Sequence, residues 1–540
     1  MPRIASGKLM RLARSALAML LVAMVWCLTS TACSTTTIGE NNPEKPVGQI
    51  VPARLAIVHT GGIQGAFARS DSSLGIAAVA RLAAELEEEG YDVLVLDSGN
   101  SLGGSPAIDL TDGEEAVAFM NAAHYDAIAL GADELSLGST RLRKRMAQSD
   151  FAYLSASVHD AQGDPLADPC KTFALSDGRL VGVFGLSAPK AAKGLGPLAS
   201  ADIVAQATTS IEQAQEQVAD LRSQGCRLIV CLANLGFDDQ GTPLAERVSE
   251  GVSGIDVLLD ASTGNATHLT SEDASGEEML VVETPNALKG ASVVRWEQGS
   301  LSIDVHDPST DKVLDEQVDA LVTQSSVAYE DRMQKVVSTS AGALTAEAAT
   351  KETGGLGSLA AAALLWSGER KASDKPDAAI VTADLLQASL AKGDVTYGDA
   401  LAVLPHADSR LCTIEVTGAQ LQQALEPLLA QKVAQSDTLP ATAGITISRG
   451  STTTKTGDKK ATTQKQKAPA IERVGGAAFK ASATYTIVTC EAALARTGSL
   501  SALASKDATP QDLDVSGGQA LADYLSHECK KGIPKSFLDQ

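Results

Sequence analysis

Apolar and polar positions along the chain alternate in blocks of two periods. Residues 54–60 (RLAIVHT) read as a buried strand, 74–89 carry helical spacing, and 92–97 (DVLVLD) read as a second strand. A helix near 113–122 and a strand at 126–130 (DAIAL) repeat the alternation. A helix at about 205–223, a strand at 227–233, a helix near 243–250 and a strand at 255–259 continue it. Strands alternating with helices predict a layered α/β domain. Short strand patterns at 278–283, 291–297 and 300–305 are expected to close it with antiparallel pieces.

Residues 307–340 are polar and helix-prone, and read as an interdomain linker. A second α/β pattern follows, with a helix near 356–370, a strand at 377–382, a helix at 417–434, a strand at 485–490 and a helix at 517–530. A Ser/Thr/Lys/Gln tract from Gly450 to Lys467 has no apolar period and reads as a mobile insert. The expected division is therefore an export signal at 1–32, a polar tether at 33–52, a first domain at 53–306, the linker at 307–340 and a second domain at 341–540 with its insert at 450–467.

Charge narrows the function. The 540 residues carry 44 Lys+Arg against 66 Asp+Glu, a net charge of −22. Such acidity argues against a nucleic-acid partner, which must be met by basic side chains. The apolar share of 44% is that of a globular protein. Seven His and 3% aromatics limit any imidazole-rich metal site and any stacking platform.

Arg3, Lys8, Arg11 and Arg14 precede an apolar run from Ala16 to Leu28, the pattern of an export signal. Ser30-Thr31-Ala32 is a small-residue cleavage site before Cys33, and Cys33 resembles the acylated Cys of a bacterial lipobox. Two outcomes stay open: a membrane-anchored lipoprotein held through Cys33, and simple cleavage after Ala32. Either way the protein is expected outside the cytoplasm, where disulfides are permitted. Cys226 and Cys231 flank one strand and by alternation point to opposite faces, so they are poor partners for each other.

Two stretches carry a family resemblance. GDVTYGD at 393–399, Leu404-Pro405 and Thr417-Gly418-Ala419-Gln420-Leu421 resemble the C-terminal domain of the bacterial periplasmic 5′-nucleotidases. VHTGGIQG at 58–65, LDSGNSLGGSP at 96–106, LGADELSLG at 130–138, CLANLG at 231–236 and GIDVLLDAST at 254–263 are similar to the calcineurin-like metallophosphoesterase domain that precedes it in that family. The resemblance implies a four-layered α/β-β-α domain joined by a helical linker to an α/β nucleotidase C-terminal domain. It also implies phosphoester hydrolysis at two divalent metal ions, which lower the pKa of bound water and clamp phosphoryl oxygens.

The matched positions depart from the family's ligand set. Its metal-binding Asp and His in the first motif fall on Gly62 and Gln64, its bridging Asp on Asn100, and its Asn on Ala132. The catalytic His falls on Asp133 and the Asp that orients it on Ser136. The remaining His ligands fall on Asn234, Ser262 and Gly264. In the second domain, Gln387 takes a substrate Arg position, Asp408 an Asn position, and Arg449 the place of a second Arg. Neutral amides, a hydroxyl and glycines are weak substitutes around two divalent cations. The expectation is an exported 5′-nucleotidase-like protein without catalysis and without a metal pair. It keeps its scaffold for a structural role or for a small-molecule or nucleotide ligand in the interdomain cleft. The alternatives are an active hydrolase with a rebuilt metal site, and a single Ca²⁺ or Mg²⁺ held by Asp133, Glu134 and Asp260 with Asn100 and Asn234.

Overall fold

A computed structural model describes residues 53–538 apart from 189–197, 200–202, 206–209, 239, 348–354, 406–408, 430–439, 449–469, 496–499, 501–502 and 504–509. The export segment, Cys33, Asp408, Arg449 and the 450–467 insert lie outside the described residues.

The first domain stacks two six-stranded sheets. One runs in the order Ser300–His306, Ala291–Glu297, Leu55–Thr60, Asp92–Asp97, Ala127–Ala129, Ala152–Leu154. Its last four strands are parallel, and Ala291–Glu297 pairs antiparallel with the first. The other runs Thr267–Glu272, Glu278–Glu283, Val257–Asp260, Cys226–Asn234, Leu180–Ser187, Cys170–Ala174. Leu55, Ile57, Leu94 and Leu96 of the first sheet meet Val181, Val183, Val230 and Val257 of the second in one apolar layer. The helices Ile76–Glu88 and Glu114–Ala122 cover the outer face of one sheet, and Ser210–Ser223 and Leu244–Gly251 that of the other. Strands buried on both faces explain the near-continuous apolar runs in the sequence. Among the described residues, no helix is long and apolar enough to cross a membrane.

Two expectations are corrected. Glu278–Glu283 is parallel to Val257–Asp260 and antiparallel only to Thr267–Glu272. Cys226 and Cys231 share one apolar cluster, because a bulge at Arg227 flips the first residue of the strand to the helix-covered face. Both are free thiols.

The strand Leu180–Ser187 escaped the sequence reading because Gly182 and Gly185 interrupt its apolar run. Here the glycines permit close approach. A Cβ on Gly185 would lie 2.2 Å from the Leu154 carbonyl oxygen, and one on Gly182 would lie 2.9 Å from the Leu221 side chain.

The second domain has a five-stranded sheet in the order Pro440–Ala443, Ala378–Thr382, Thr484–Cys490, Arg410–Thr417, Gln511–Ser516. The helices Gly355–Lys371 and Gly517–Glu528 pack on it. Ser516 starts the last helix with a capping box that pairs it with Gln519. Thr417 and Gln420 do the same for Gly418–Ala424, which a short helix Glu426–Leu429 continues. The linker helix Glu316–Gln334 is capped by Asp315 and followed by the strand Val336–Ser340, which pairs with Gly393–Thr396. Val318 and Val322 of the linker helix bury in the first domain's core, and Tyr329 and Met333 pack on the second's.

Candidate functional site

Parallel strands of an α/β sheet place their following loops at one end, where ligands bind. The loops after Leu55–Thr60, Asp92–Asp97, Ala127–Ala129, Cys226–Asn234 and Val257–Asp260 carry the matched positions and touch one another, and the region where they meet is termed the crevice.

Glu134 organises this crevice. It is fully buried, and its carboxylate accepts from the backbone N–H groups of Asn100 (2.8 Å), Ser101 (2.8 Å), Leu102 (3.0 Å) and Gly131 (2.8 Å). It thereby ties the 98–102 loop to the short helix Ala132–Ser136. Sequence reasoning kept Glu134 as an oxygen ligand. Both its oxygens are instead occupied by backbone donors, a use signalled only by its place in the first turn of a helix.

Asn100 adopts φ 58° in this loop. Its Oδ1 accepts from the Asp133 amide at 3.2 Å, and its Nδ2 reaches Asn234 Oδ1 at 3.4 Å. Asn234 is buried and donates to the Ser98 carbonyl at 2.8 Å. Gln64 is exposed at φ 50°, with its amide on the Asn100 carbonyl. Ala132 is exposed.

Gly62 and Gly264 lie on either side of Asn286. A Cβ at Gly62 would sit 2.4 Å from Asn286 Oδ1, and one at Gly264 would sit 3.2 Å from Asn286 Nδ2. Asn286 thus occupies the room that side chains at both positions would need. Sequence reasoning missed it, since it lies in no motif.

The remaining carboxylates share no hydrogen-bond partner. Asp97, fully buried, accepts from Thr60 Oγ1, Ser101 Oγ and the Gly99 amide. Asp260, also fully buried, accepts from the amides of Ala261 and Ser262 and from Ser262 Oγ at 2.7 Å. Burial pushes Asp97 up to about 7, and burial together with Glu283 does the same to Asp260. Asp133 is raised to about 7 by burial, then by Glu134 and Asp109, and its Oδ2 has no partner. Ser136 donates to the Asp133 carbonyl at 2.7 Å and not to its carboxylate. His59 is a satisfied core histidine, bonded to Thr284 and Ser98 at 2.7 Å each and pushed down to about 3 by burial. Among the described residues, no group of three or more His, Cys, Asp or Glu side chains is arranged to hold a metal ion.

Residues 335–500 match the family model of the 5′-nucleotidase C-terminal domain. The chain is 30% identical over 195 residues to protein UshA of Salmonella pullorum and to a 5′-nucleotidase of Vibrio cholerae, in each case over 35% of either chain. The chain thus spans about a third of the length of these curated relatives. A Staphylococcus aureus protein described as a 5′-nucleotidase, solved with α-ketoglutarate, shares the fold at a TM-score of 0.51 and 19% identity, over 90% of this chain and 99% of that one. Residues 335–500 thus carry a 5′-nucleotidase C-terminal domain, and the chain as a whole is similar to 5′-nucleotidases in fold.

The chain has a two-domain α/β architecture, two stacked six-stranded sheets followed by the domain that carries the C-terminal match. In the second domain Gln387 is exposed and donates to the Asp384 carbonyl at 2.9 Å, closing its own turn. Among the described residues that the second domain brings to the first is Arg410, which no motif singled out and which reaches the crevice helix. Its guanidinium donates to the carbonyls of Ser136 (2.6 Å) and Leu137 (3.0 Å) at the end of the crevice helix.

Proposed function

We propose that this protein is an exported, non-catalytic member of its family, which keeps the scaffold to bind a small molecule or nucleotide at the cell envelope. The observation that carries the reading is the donor set of the crevice. Gly62 and Gly264 close on Asn286, Gln64, Asn100 and Asn234 offer neutral amides, and Ala132 offers nothing. Asp97, Glu134 and Asp260 spend their oxygens on backbone and hydroxyl donors. These residues do not fit a pair of divalent cations, which calls for several anionic ligands and imidazoles. Without such a pair, hydroxide at neutral pH has no source in the crevice. What the crevice offers is a fixed set of hydrogen-bonding groups. Export and a lipid anchor at Cys33 belong to the same proposal, resting on the N-terminal sequence.

One observation favours the second reading, a rebuilt single-cation site: Asp133 Oδ2 and Asn286 Oδ1 are buried oxygens without partners. Phosphate release from a nucleotide panel with Mn²⁺, Zn²⁺, Mg²⁺, Co²⁺ or Ca²⁺ separates the two. The expected result is no release by folded protein with any metal. Turnover abolished both by EDTA and by Asp133→Ala would overturn the non-catalytic reading.

A further inference from the structure

The seam between the domains is built from charge that neither the crevice nor the second domain's core uses. Arg141, on the helix Gly138–Met146, is 9% exposed at its side chain. Its guanidinium faces Asp112 of its own domain at 3.2 Å. From the second domain it faces Asp514 at 3.1 Å and pairs with both oxygens of Asp512. Arg410 of the second domain, also 9% exposed, shares Asp512 Oδ2 at 3.2 Å. Its Nη1 and Nη2 also donate to the Ser136 and Leu137 carbonyls. One carboxylate of the second domain is thus clasped by an arginine from each domain. The planar fork of each guanidinium fixes direction as well as charge.

Apolar and backbone contacts extend the joint. Leu110 and Leu198 of the first domain bury in the second domain's core. The Leu198 amide donates to Glu491 at 3.1 Å, and Gln519 donates to the Leu110 carbonyl at 3.4 Å. At the far end of the linker helix, Arg332 donates to Tyr397 Oη at 2.7 Å. The domains are therefore tied at the seam and at the linker.

We propose that Arg141 and Arg410 form a latch on Asp512 that holds the two domains as one rigid body and, through the Ser136 and Leu137 carbonyls, fixes the crevice helix. A latch of this kind makes the shape of the crevice depend on domain orientation. Because its arginines are withdrawn from water, salt screens it weakly.

Small-angle scattering and amide exchange on the purified protein test this. The wild type is expected to give one scattering profile at low and at high salt, with slow exchange at 132–146 and 511–516. Arg141→Gln and Arg410→Gln should broaden the profile and speed exchange at both segments on the order of tenfold, the factor that about 1.4 kcal/mol of lost coupling gives. Arg141→Lys should restore part of the protection. Arg143→Gln, which removes a pair with Asp160 inside the first domain, should leave both readouts at wild type. If Arg141→Gln fails to fold, the same-shaped Asp512→Asn takes its place. Variants that scatter and exchange like the wild type, or a wild type that already populates two arrangements, would overturn the latch. Unchanged exchange at the amides of 100–102 in a loosened variant would overturn its hold on the crevice.

Discussion

Carboxylates crowd both the crevice and the seam, and only in the seam do they meet cations. Asp512 and Asp112 face Arg141 and Arg410 across distances of about one hydrogen bond. Asp97, Asp260 and Asp133 have hydroxyls, backbone amides or nothing, and burial raises each to about 7. The same side-chain chemistry holds two domains together in one place and stores an electrostatic cost in the other. Neutral donors offset only part of the cost of burying a carboxylate, and a cation offsets more of it. The helix Ala132–Ser136 joins the two regimes, with Glu134 anchored by backbone donors at one end and its last carbonyl held by Arg410 at the other.

The largest effect should come from removing that anchor. Glu134→Ala leaves three buried backbone N–H groups and one part-buried one without their acceptor, each buried group worth about 1–3 kcal/mol before relaxation. The expected loss is about 4 kcal/mol in urea unfolding. A loss below about 1 kcal/mol would mean that water or a neighbour replaces the carboxylate, and would erase the distinction between Glu134 and the under-supported aspartates.

The pH profile sharpens the contrast from the other side. Asp97 has a folded pKa raised from 3.8 to about 7, so the folded state holds the proton more tightly than the unfolded chain. Its contribution to stability is therefore intact below pH about 4 and is lost as the pH rises to about 7. Asp97→Asn removes the cost of ionisation. Its stabilisation relative to wild type should grow by up to about 1.4 kcal/mol per pH unit across that window and stop growing above it. His59 works in the opposite direction. Burial lowers its folded pKa to about 3 from the ordinary imidazole value of 6.5, so its contribution is lost as the pH falls through that range. Thermal unfolding of Asp97→Asn and wild type between pH 5 and 8 reads the first effect with the second cancelled. A pH-independent difference would show that Asp97 is not under-supported.

Much of the fold was legible because strands buried on both faces leave a strong trace. Asp92–Asp97 and Ala291–Glu297 fall where their apolar runs place them. Arg410–Thr417 and Gln511–Ser516 left none, because their charged residues serve the seam, and Arg410 is buried by partners distant in sequence. The crevice was legible as a list of replaced positions. Its filling was not, since Asn286 comes from a loop that no motif marks and acts by volume. Glu134 shows the same limit: a carboxylate beside a metal motif and a carboxylate under a backbone turn look alike until the donors around it are placed.

The smallest expected effect concerns backbone strain in the crevice. Gln64 and Asn100 both occupy the left-handed region, at φ 50° and 58°. Asn100 is compensated, since its side chain holds the Asp133 amide and faces Asn234. Gln64 points its side chain into solvent, so nothing there offsets the conformation. Glycine at 64 would relieve the strain in the folded state while adding freedom to the unfolded chain. The balance should favour Gln64→Gly by about 0.5–1 kcal/mol, whereas Asn100→Gly should destabilise by about 1 kcal/mol through its lost hydrogen bonds. Opposite signs in paired thermal melts would show that the crevice keeps Asn100 for its bonds. Equal signs would mean that backbone strain alone sets both positions, and that the Asn100 side chain contributes no more to the crevice than the exposed Gln64.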